Sequence, residues 1–279
     1  MKLGLLNHGR IDSPSNERVK HLAKLVGNTA AMKAQGVACA EGLHLFADLM
    51  NHLPDRALEI WLPDTLLTHP EWLALQSIAC SPNARLVVVP LVVYKKISAL
   101  SAPTGPLVVF TPPEGITKPD LARNLLVLDG IQDPGNVGVV LRNAAAAGIE
   151  QVACSEQSAW VWGDKSLRAG MGAQFSLSFC SERSVLAALQ NPSTRPEVRA
   201  TTLSGRSRSL YDLDLTQPGL WVFGSEGRGV SEAWLQRASV HVRIPQTEAV
   251  ESLNVGSSSA ICFFEQRRQC LQSSTKASN

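Results

Sequence analysis

Leu125-Leu126-Val127-Leu128 is a short, unbroken apolar run. It is followed by the polar, turn-rich Asp129-Gly130-Ile131-Gln132-Asp133-Pro134-Gly135-Asn136, and residues 137–147 then carry helical spacing up to Gly148. An apolar run of this length suits a strand buried on both faces, and a glycine after the last periodic residue is a helix stop. Val222-Phe223-Gly224-Ser225-Glu226-Gly227-Arg228-Gly229 repeats the strand-to-loop transition ahead of a helix-like 231–237. Ile244-Pro245-Gln246-Thr247-Glu248-Ala249-Val250-Glu251-Ser252-Leu253-Asn254-Val255 is a third polar loop, opening into an apolar, helix-patterned segment. In open α/β sheets ligands bind at the carboxyl ends of strands, so three polar loops placed there predict a ligand site.

Around these loops the pattern alternates. Strands are predicted near 125–129, 150–154, 175–179, 199–203, 219–223 and 241–244, with helices between them and a last helix over 256–270. That order predicts an α/β fold with a mainly parallel sheet covered by helices on both faces. Upstream, Val19, Leu22, Ala23, Leu25 and Val26 share one face of a helix over 10–26, opposite Arg18, Lys20 and Lys24. Strand-like 37–40, 57–62, 86–89 and 107–110 alternate with helix-like 41–50, 65–78 and 91–100. The stretch 111–120 carries three prolines and a glycine and can continue neither element. The predicted organisation is a small α/β domain over 1–110, a linker over 111–121, a second α/β domain over 122–271 and a frayed polar tail over 272–279.

Length and composition set the class. The chain has 279 residues, 44% hydrophobic and 18% charged, enough for two domains with their own cores. No apolar run is long enough for a transmembrane helix, and Asn7-His8-Gly9-Arg10 interrupts the amino terminus before a secretory segment forms, so a cytoplasmic protein without a membrane partner is expected. The formal charge of +2 is too mild to announce a nucleic-acid binder, and any RNA-binding cations must be concentrated locally. Cys39, Cys80, Cys154, Cys180, Cys262 and Cys270 lack metal-ligand spacing. His8, His21, His44, His52, His69 and His241 form no H-x-E or H-E-x-x-H pattern, so no metal site is expected.

Asn136-x-Gly138-x-x-x-Arg142, Gly224-x-Glu226-Gly227-x-Gly229, and Ile244-Pro245 with Ser252-Leu253-Asn254-Val255 together resemble the three ordered motifs of the SpoU/TrmH family, RNA ribose 2′-O-methyltransferases of the SPOUT superfamily. The resemblance covers about residues 124–269. It implies S-adenosylmethionine as cofactor, RNA as partner (ribosomal RNA favoured, transfer RNA possible), a homodimer through the catalytic domain and a deep trefoil knot, a feature otherwise nearly absent from proteins. The segments around Ala40-Glu41-Gly42-Leu43-His44-Leu45 and 92–107 resemble the small substrate-binding domain often fused ahead of it, which is similar to certain RNA-binding ribosomal proteins.

By the same resemblance Arg142, Asn136, Glu226, Ser252 and Asn254 form the catalytic set, with Arg142 acting on the ribose hydroxyl. Phe223, Gly224, Ser225, Gly229, Ile244, Pro245, Ser252 and Leu253 hold the cofactor. Arginine as a residue type is a poor base, with a pKa above about 12, so orientation and stabilisation of the forming alkoxide weigh more than proton abstraction. Asn136 is also expected to cap its helix, and Asn254 to cap the last one. Trp160 and Trp162, with Lys165 and Arg168 beyond, suit either RNA stacking or packing. The last helix offers Ala260, Ile261, Phe263 and Phe264 as dimer interface or core. Two positions depart from the family pattern: Glu248 stands in place of a glycine and Gly256 in place of a serine, and the charge of Glu248 beside the cofactor loop predicts weakened cofactor affinity. Two other classes compete, an RNA-binding protein that has lost its cofactor and a nucleotide-binding Rossmann enzyme. The latter rests on Gly135-x-x-Gly138 and Glu156 but lacks G-x-G-x-x-G.

Overall fold

A computed structural model describes residues 9–75, 84–191, 195–247, 249 and 252–277. In chain order the elements are β1 (Gly9–Arg10), α1 (Glu17–Leu25), α2 (Thr29–Gln35), β2 (Ala38–Glu41), α3 (Leu43–His52), β3 (Ala57–Pro63), α4 (Pro70–Leu75), β4 (Arg85–Val89), α5 (Leu91–Ile97), β5 (Leu107–Phe110), β6 (Leu125–Asp129), α6 (Pro134–Ala147), β7 (Gln151–Cys154) and α7 (Asp164–Gly170). They continue with β8 (Ser178–Ser181), α8 (Glu182–Ala188), β9 (Glu197–Thr201), β10 (Arg208–Ser209), β11 (Gly219–Gly224), α9 (Glu232–Leu235), β12 (Val240–Arg243) and α10 (Val255–Ala277). The chain divides into two units, Met1–Pro113 with Trp160–Phe175, and Glu114–Ala159 with Ser176–Asn279.

The first unit is a mixed five-stranded sheet in the order β1-β4-β3-β5-β2, with β5 antiparallel to both of its neighbours. Its first helix starts at Glu17, later than the pattern predicted, because the Asn16 side chain caps it by accepting from Arg18 N at 2.9 Å. Val19, Leu22 and Leu25 of α1 are buried with Trp61, Tyr94 and Ile97 in one core. The part of the predicted 65–78 helix that is described is a 3-10 turn at Asp64–Leu66 followed by α4, and 76–78 lie outside the described residues. Segment 160–175 belongs to this unit through its rings. Trp162 meets Phe110 edge-on at 6.1 Å and stacks on Phe175 at 6.2 Å. A division by chain order alone does not capture this excursion. Burial pushes the Glu41 carboxyl above its usual range, although Ser98 Oγ (2.5 Å) and Ala99 N (3.0 Å) donate to it.

The second unit carries seven strands in the order β10-β12-β9-β11-β6-β7-β8, and every neighbouring pair runs parallel. From β6 the chain builds outward through β7 and β8, then returns past β6 to lay down β9. Strand β11 later enters between β6 and β9 and pairs with both. The sheet's chain order therefore reverses beside β6, and the crevice lies next to that switch, at the carboxyl ends of β9, β11 and β12. α10 packs on α6, and its Phe263 contacts the rings of Trp221 (6.3 Å) and Phe223 (5.4 Å), placing it in the core. Its neighbour Phe264 is 46% exposed. Three details differ from the sequence reading. Strands β8 and β9 are shifted by a few residues, β10 is a two-residue edge strand without an alternating apolar pattern, and α10 continues to Ala277 instead of fraying from 272. Ser273 Oγ and Ser274 Oγ donate to the carbonyls of Gln269 and Cys270 one turn back, and Arg268 reaches Gln272, so the polar side chains are accommodated within the helix.

Candidate active site

The three loops read from the sequence converge on an open crevice of about 660 Å³. That volume is of the size that holds a nucleotide-like cofactor, within the range of about 300–1,000 Å³ usual for ligand pockets. Its walls come from the end of β11 and the following loop (Phe223, Gly224, Ser225, Glu226, Gly229), the end of β12 (Ile244), and the approach to α10 (Ser252, Leu253, Asn254). Pro245 lies between two lining residues, Ile244 and Gln246, without lining the crevice itself. Glu248 lies outside the described residues.

Gly224 is where backbone meets backbone. A Cβ there would stand 2.0 Å from the carbonyl carbon of Gly229, so the loop 225–229 can fold back on β11 only without a side chain at 224. Ser225 and Gly229 bridge, and Gly229 takes a φ of 70°. Gly227 has neither a left-handed conformation nor a close neighbour, so the glycine requirement falls on 224 and 229.

The side chains form a chain of hydrogen bonds across the loops. Asn136 Nδ2 donates to Glu226 Oε1 at 2.5 Å, and Asn254 Nδ2 donates to Asn136 Oδ1 at 3.0 Å. Asn254 Oδ1 in turn accepts from Gly256 N at 2.8 Å, capping α10. The cap of α6, by contrast, is Asp133, whose Oδ1 accepts from Asn136 N at 2.7 Å. Asn136 sits inside the first turn, which frees its amide for the other two loops. Arg142 and Asn136 do not line the crevice. Arg142 is exposed on α6 and has no polar partner among the described residues. It lies one turn beyond Val139, which faces Gly256 at the start of α10.

Several lining residues escaped the sequence reading: Thr201, Thr202 and Leu203 after β9, Arg228, Val242 and Arg243 beside them, and Ser258 on α10. The available signal is the predicted strand over 199–203, whose carboxyl end lies on the same edge of the sheet as the three loops. The tryptophans resolve toward packing. Trp162 is buried, Trp160 is half-buried under Lys33 Nζ at 5.8 Å, and Arg168 is paired with Asp164 at 3.0 Å. Among the described residues no cluster of His, Cys, Asp and Glu has the makings of a metal site. Burial pushes the thiols of Cys39 and Cys154 up to about 12 and that of Cys180 to about 11, which leaves them unreactive near neutrality.

Residues 123–264 match the SpoU rRNA Methylase family. The chain belongs to that family. It is an RNA 2′-O-methyltransferase that uses S-adenosylmethionine. An uncharacterised tRNA/rRNA methyltransferase of Synechocystis is 31% identical over 272 residues, 95% of this chain and 96% of that one. The 23S rRNA (guanosine-2′-O-)-methyltransferase RlmB of Bordetella pertussis is 32% identical over 52% of this chain and 59% of its own length. Among solved structures, an RNA 2′-O ribose methyltransferase is 30% identical, with a TM-score of 0.77 over 94% of this chain and all of that one. An AdoMet-bound rRNA methyltransferase of Sinorhizobium meliloti, 23% identical, shares the fold with a TM-score of 0.80 over 94% of this chain and 98% of that one.

Proposed function

We propose that this SpoU-family methylase modifies a ribose of ribosomal RNA, with its cofactor in the β9–β11–β12 crevice and the acceptor ribose at the edge bounded by α6. The Glu226–Asn136–Asn254 chain carries the reading, because it brings one residue from each loop to a single edge of that crevice. The crevice fits S-adenosylmethionine. Ile244, Leu253 and Phe223 offer apolar surface for an adenine, and Thr201, Thr202, Ser252 and Ser258 offer hydroxyls for a ribose and an amino acid. When bound, the cofactor supplies an electrophilic methyl on a sulfonium.

The roles assigned in this reading come from the family resemblance and agree with where the residues stand. Arg142 offers a positive, planar fork to the ribose 2′-oxygen as its proton leaves and charge develops. Glu226 has Oε1 tied to Asn136, and Oε2 has no partner among the described residues, so that oxygen orients the hydroxyl and accepts its proton. Ser252 and Asn254 fix the reacting edge, and rigid alignment of oxygen, methyl carbon and sulfur supplies much of the acceleration. Arg228 and Arg243 on the crevice walls are unpaired among the described residues and suit RNA phosphates. The first unit, with Lys24, Lys95 and Lys96 exposed, holds the RNA. In this reading the family's knot carries 252–256 back to α6, which the contacts of Asn254 and Gly256 with that helix support, and the exposed Phe264 suits a face covered by a second copy in a homodimer. Among the described residues no helix is long and apolar enough to cross a membrane.

The reading is tested with methyl-labelled S-adenosylmethionine and purified 23S, 16S and transfer RNA prepared from cells lacking the enzyme. Label is expected in one ribosomal RNA, and label in transfer RNA alone would overturn the choice of target.

A further inference from the structure

One contact pair between α6 and the start of α10 is not explained by capping or by the Glu226–Asn136–Asn254 chain. Asn143 Nδ2 donates both to the carbonyl of Gly256 at 2.8 Å and to Ser259 Oγ at 3.0 Å, across more than 110 residues of sequence. Ser259 is fully buried and its hydroxyl donates to the same Gly256 carbonyl at 2.8 Å, which closes a three-membered polar cluster. Gly256 itself is wedged. A Cβ there would lie 2.6 Å from Val139 Cγ1 and 3.0 Å from Asn254 Oδ1. In a helix a valine holds one strongly preferred rotamer, so Val139 cannot readily turn aside. Gly256 therefore touches α6 through Val139 and Asn143, and through its own N–H it holds the side chain of Asn254.

We propose that Asn143, Val139 and Gly256 form a lock between α6 and α10 that sets the catalytic geometry, with Asn143 and Gly256 as positioning residues. This rests on the methyltransferase reading above. Asn136 and Asn143 are two turns apart on α6, and each grips the same start of α10, one through Asn254 and the other through Gly256. Two grips at that separation fix both the distance and the tilt of the loop relative to the helix. Arg142 is the residue beside Asn143, so its guanidinium is carried on the locked segment. The lock sets where Arg142 stands relative to Ser252 and Asn254. A displacement of about 1 Å between such groups is enough to cost on the order of 100-fold in rate. A serine at 256, the residue the family pattern would put there, would press on Val139 and on Asn254, so in this chain glycine is the residue that lets the lock close.

The test compares Asn143→Ala, Gly256→Ala, Val139→Ala and the Val139→Ala/Gly256→Ala double variant. The readouts are kcat at saturating RNA and cofactor, the cofactor Kd by calorimetry, and amide hydrogen exchange over 252–258. Asn143→Ala and Gly256→Ala are each expected to lower kcat by about tenfold or more, shift the cofactor Kd by less than about threefold, and speed exchange over 252–258. The double variant is expected to recover a large part of the turnover that Gly256→Ala loses, because truncating Val139 removes the obstructing Cγ1. Unchanged kcat per folded molecule with only a lower melting temperature would reduce the cluster to ordinary packing and overturn the proposal, as would unchanged exchange in Asn143→Ala. If the wild-type protein bound no S-adenosylmethionine, the functional reading would fail, while the exchange measurement would still judge the lock.

Discussion

Arg142 sits outside the crevice lining while every loop residue it must cooperate with lies on or bonded to that lining. Its removal should therefore separate chemistry from binding. Arg142→Ala is expected to lower methylation by at least about 100-fold, the scale of losing one preorganised donor at a developing charge, with cofactor affinity within about threefold. Calorimetry beside a turnover assay checks it, and retained turnover would take Arg142 out of its assigned role. Arg142→Lys should recover little, because an ammonium lacks the planar fork. At this scale the sequence was legible in part. The polar residues of the three loops stood out because nothing in a buried strand or a packed helix calls for them. The cap of α6 did not, since Asp133 and Asn136 are both good capping types at adjacent turns, and only the geometry shows Asp133 accepting from Asn136 N.

Among the elements, β11 and its return loop carry the tightest constraint. Gly224→Ala would push a methyl into the carbonyl carbon of Gly229, and backbone on both sides cannot move aside as a flexible side chain would. The expected result is a loss of about 1–3 kcal/mol of stability, the cost of overpacking, together with at least tenfold weaker cofactor binding; chemical denaturation and calorimetry measure the two. Stability and affinity both unchanged would mean that the loop can open at no cost. The unbroken apolar runs of β6 and β11 are legible because both of their faces are covered. Strand β10, two residues long at the sheet edge, has too few side chains to show a period. The loop after β9 is illegible for a different reason: Thr201, Thr202 and Leu203 look like ordinary strand residues until the order β12-β9-β11 places them on a crevice wall.

Over the whole chain, order along the sequence and membership of a unit part company at 160–175. No composition shift marks this excursion, because its signal is aromatic residues, Trp162 and Phe175, whose partner Phe110 lies far upstream in the chain. A fragment ending at residue 113 loses the Trp162 and Phe175 rings that bury Phe110. It is expected to be less stable than the same unit in the full chain by several kcal/mol, as truncating buried aromatics costs about 3–5 kcal/mol each. Circular-dichroism melts would show this as a lowered and broadened transition, and a fragment melting like the intact protein would contradict it. The parallel sheet and the site at its carboxyl edge were readable from alternation and three loops, whereas the chain's return of 252–256 to α6 is a long-range event to which periodicity is blind.

The most direct measurement is the chemical position of the transferred methyl. Ribosomal RNA is labelled with the wild-type enzyme and methyl-tritiated S-adenosylmethionine, hydrolysed with alkali, and resolved by chromatography. A 2′-O-methyl blocks cleavage of the adjacent phosphodiester, so the account predicts that the label emerges in alkali-resistant dinucleotides and that Arg142→Ala abolishes it. Label in mononucleotides, which would place the methyl on a base, would contradict it.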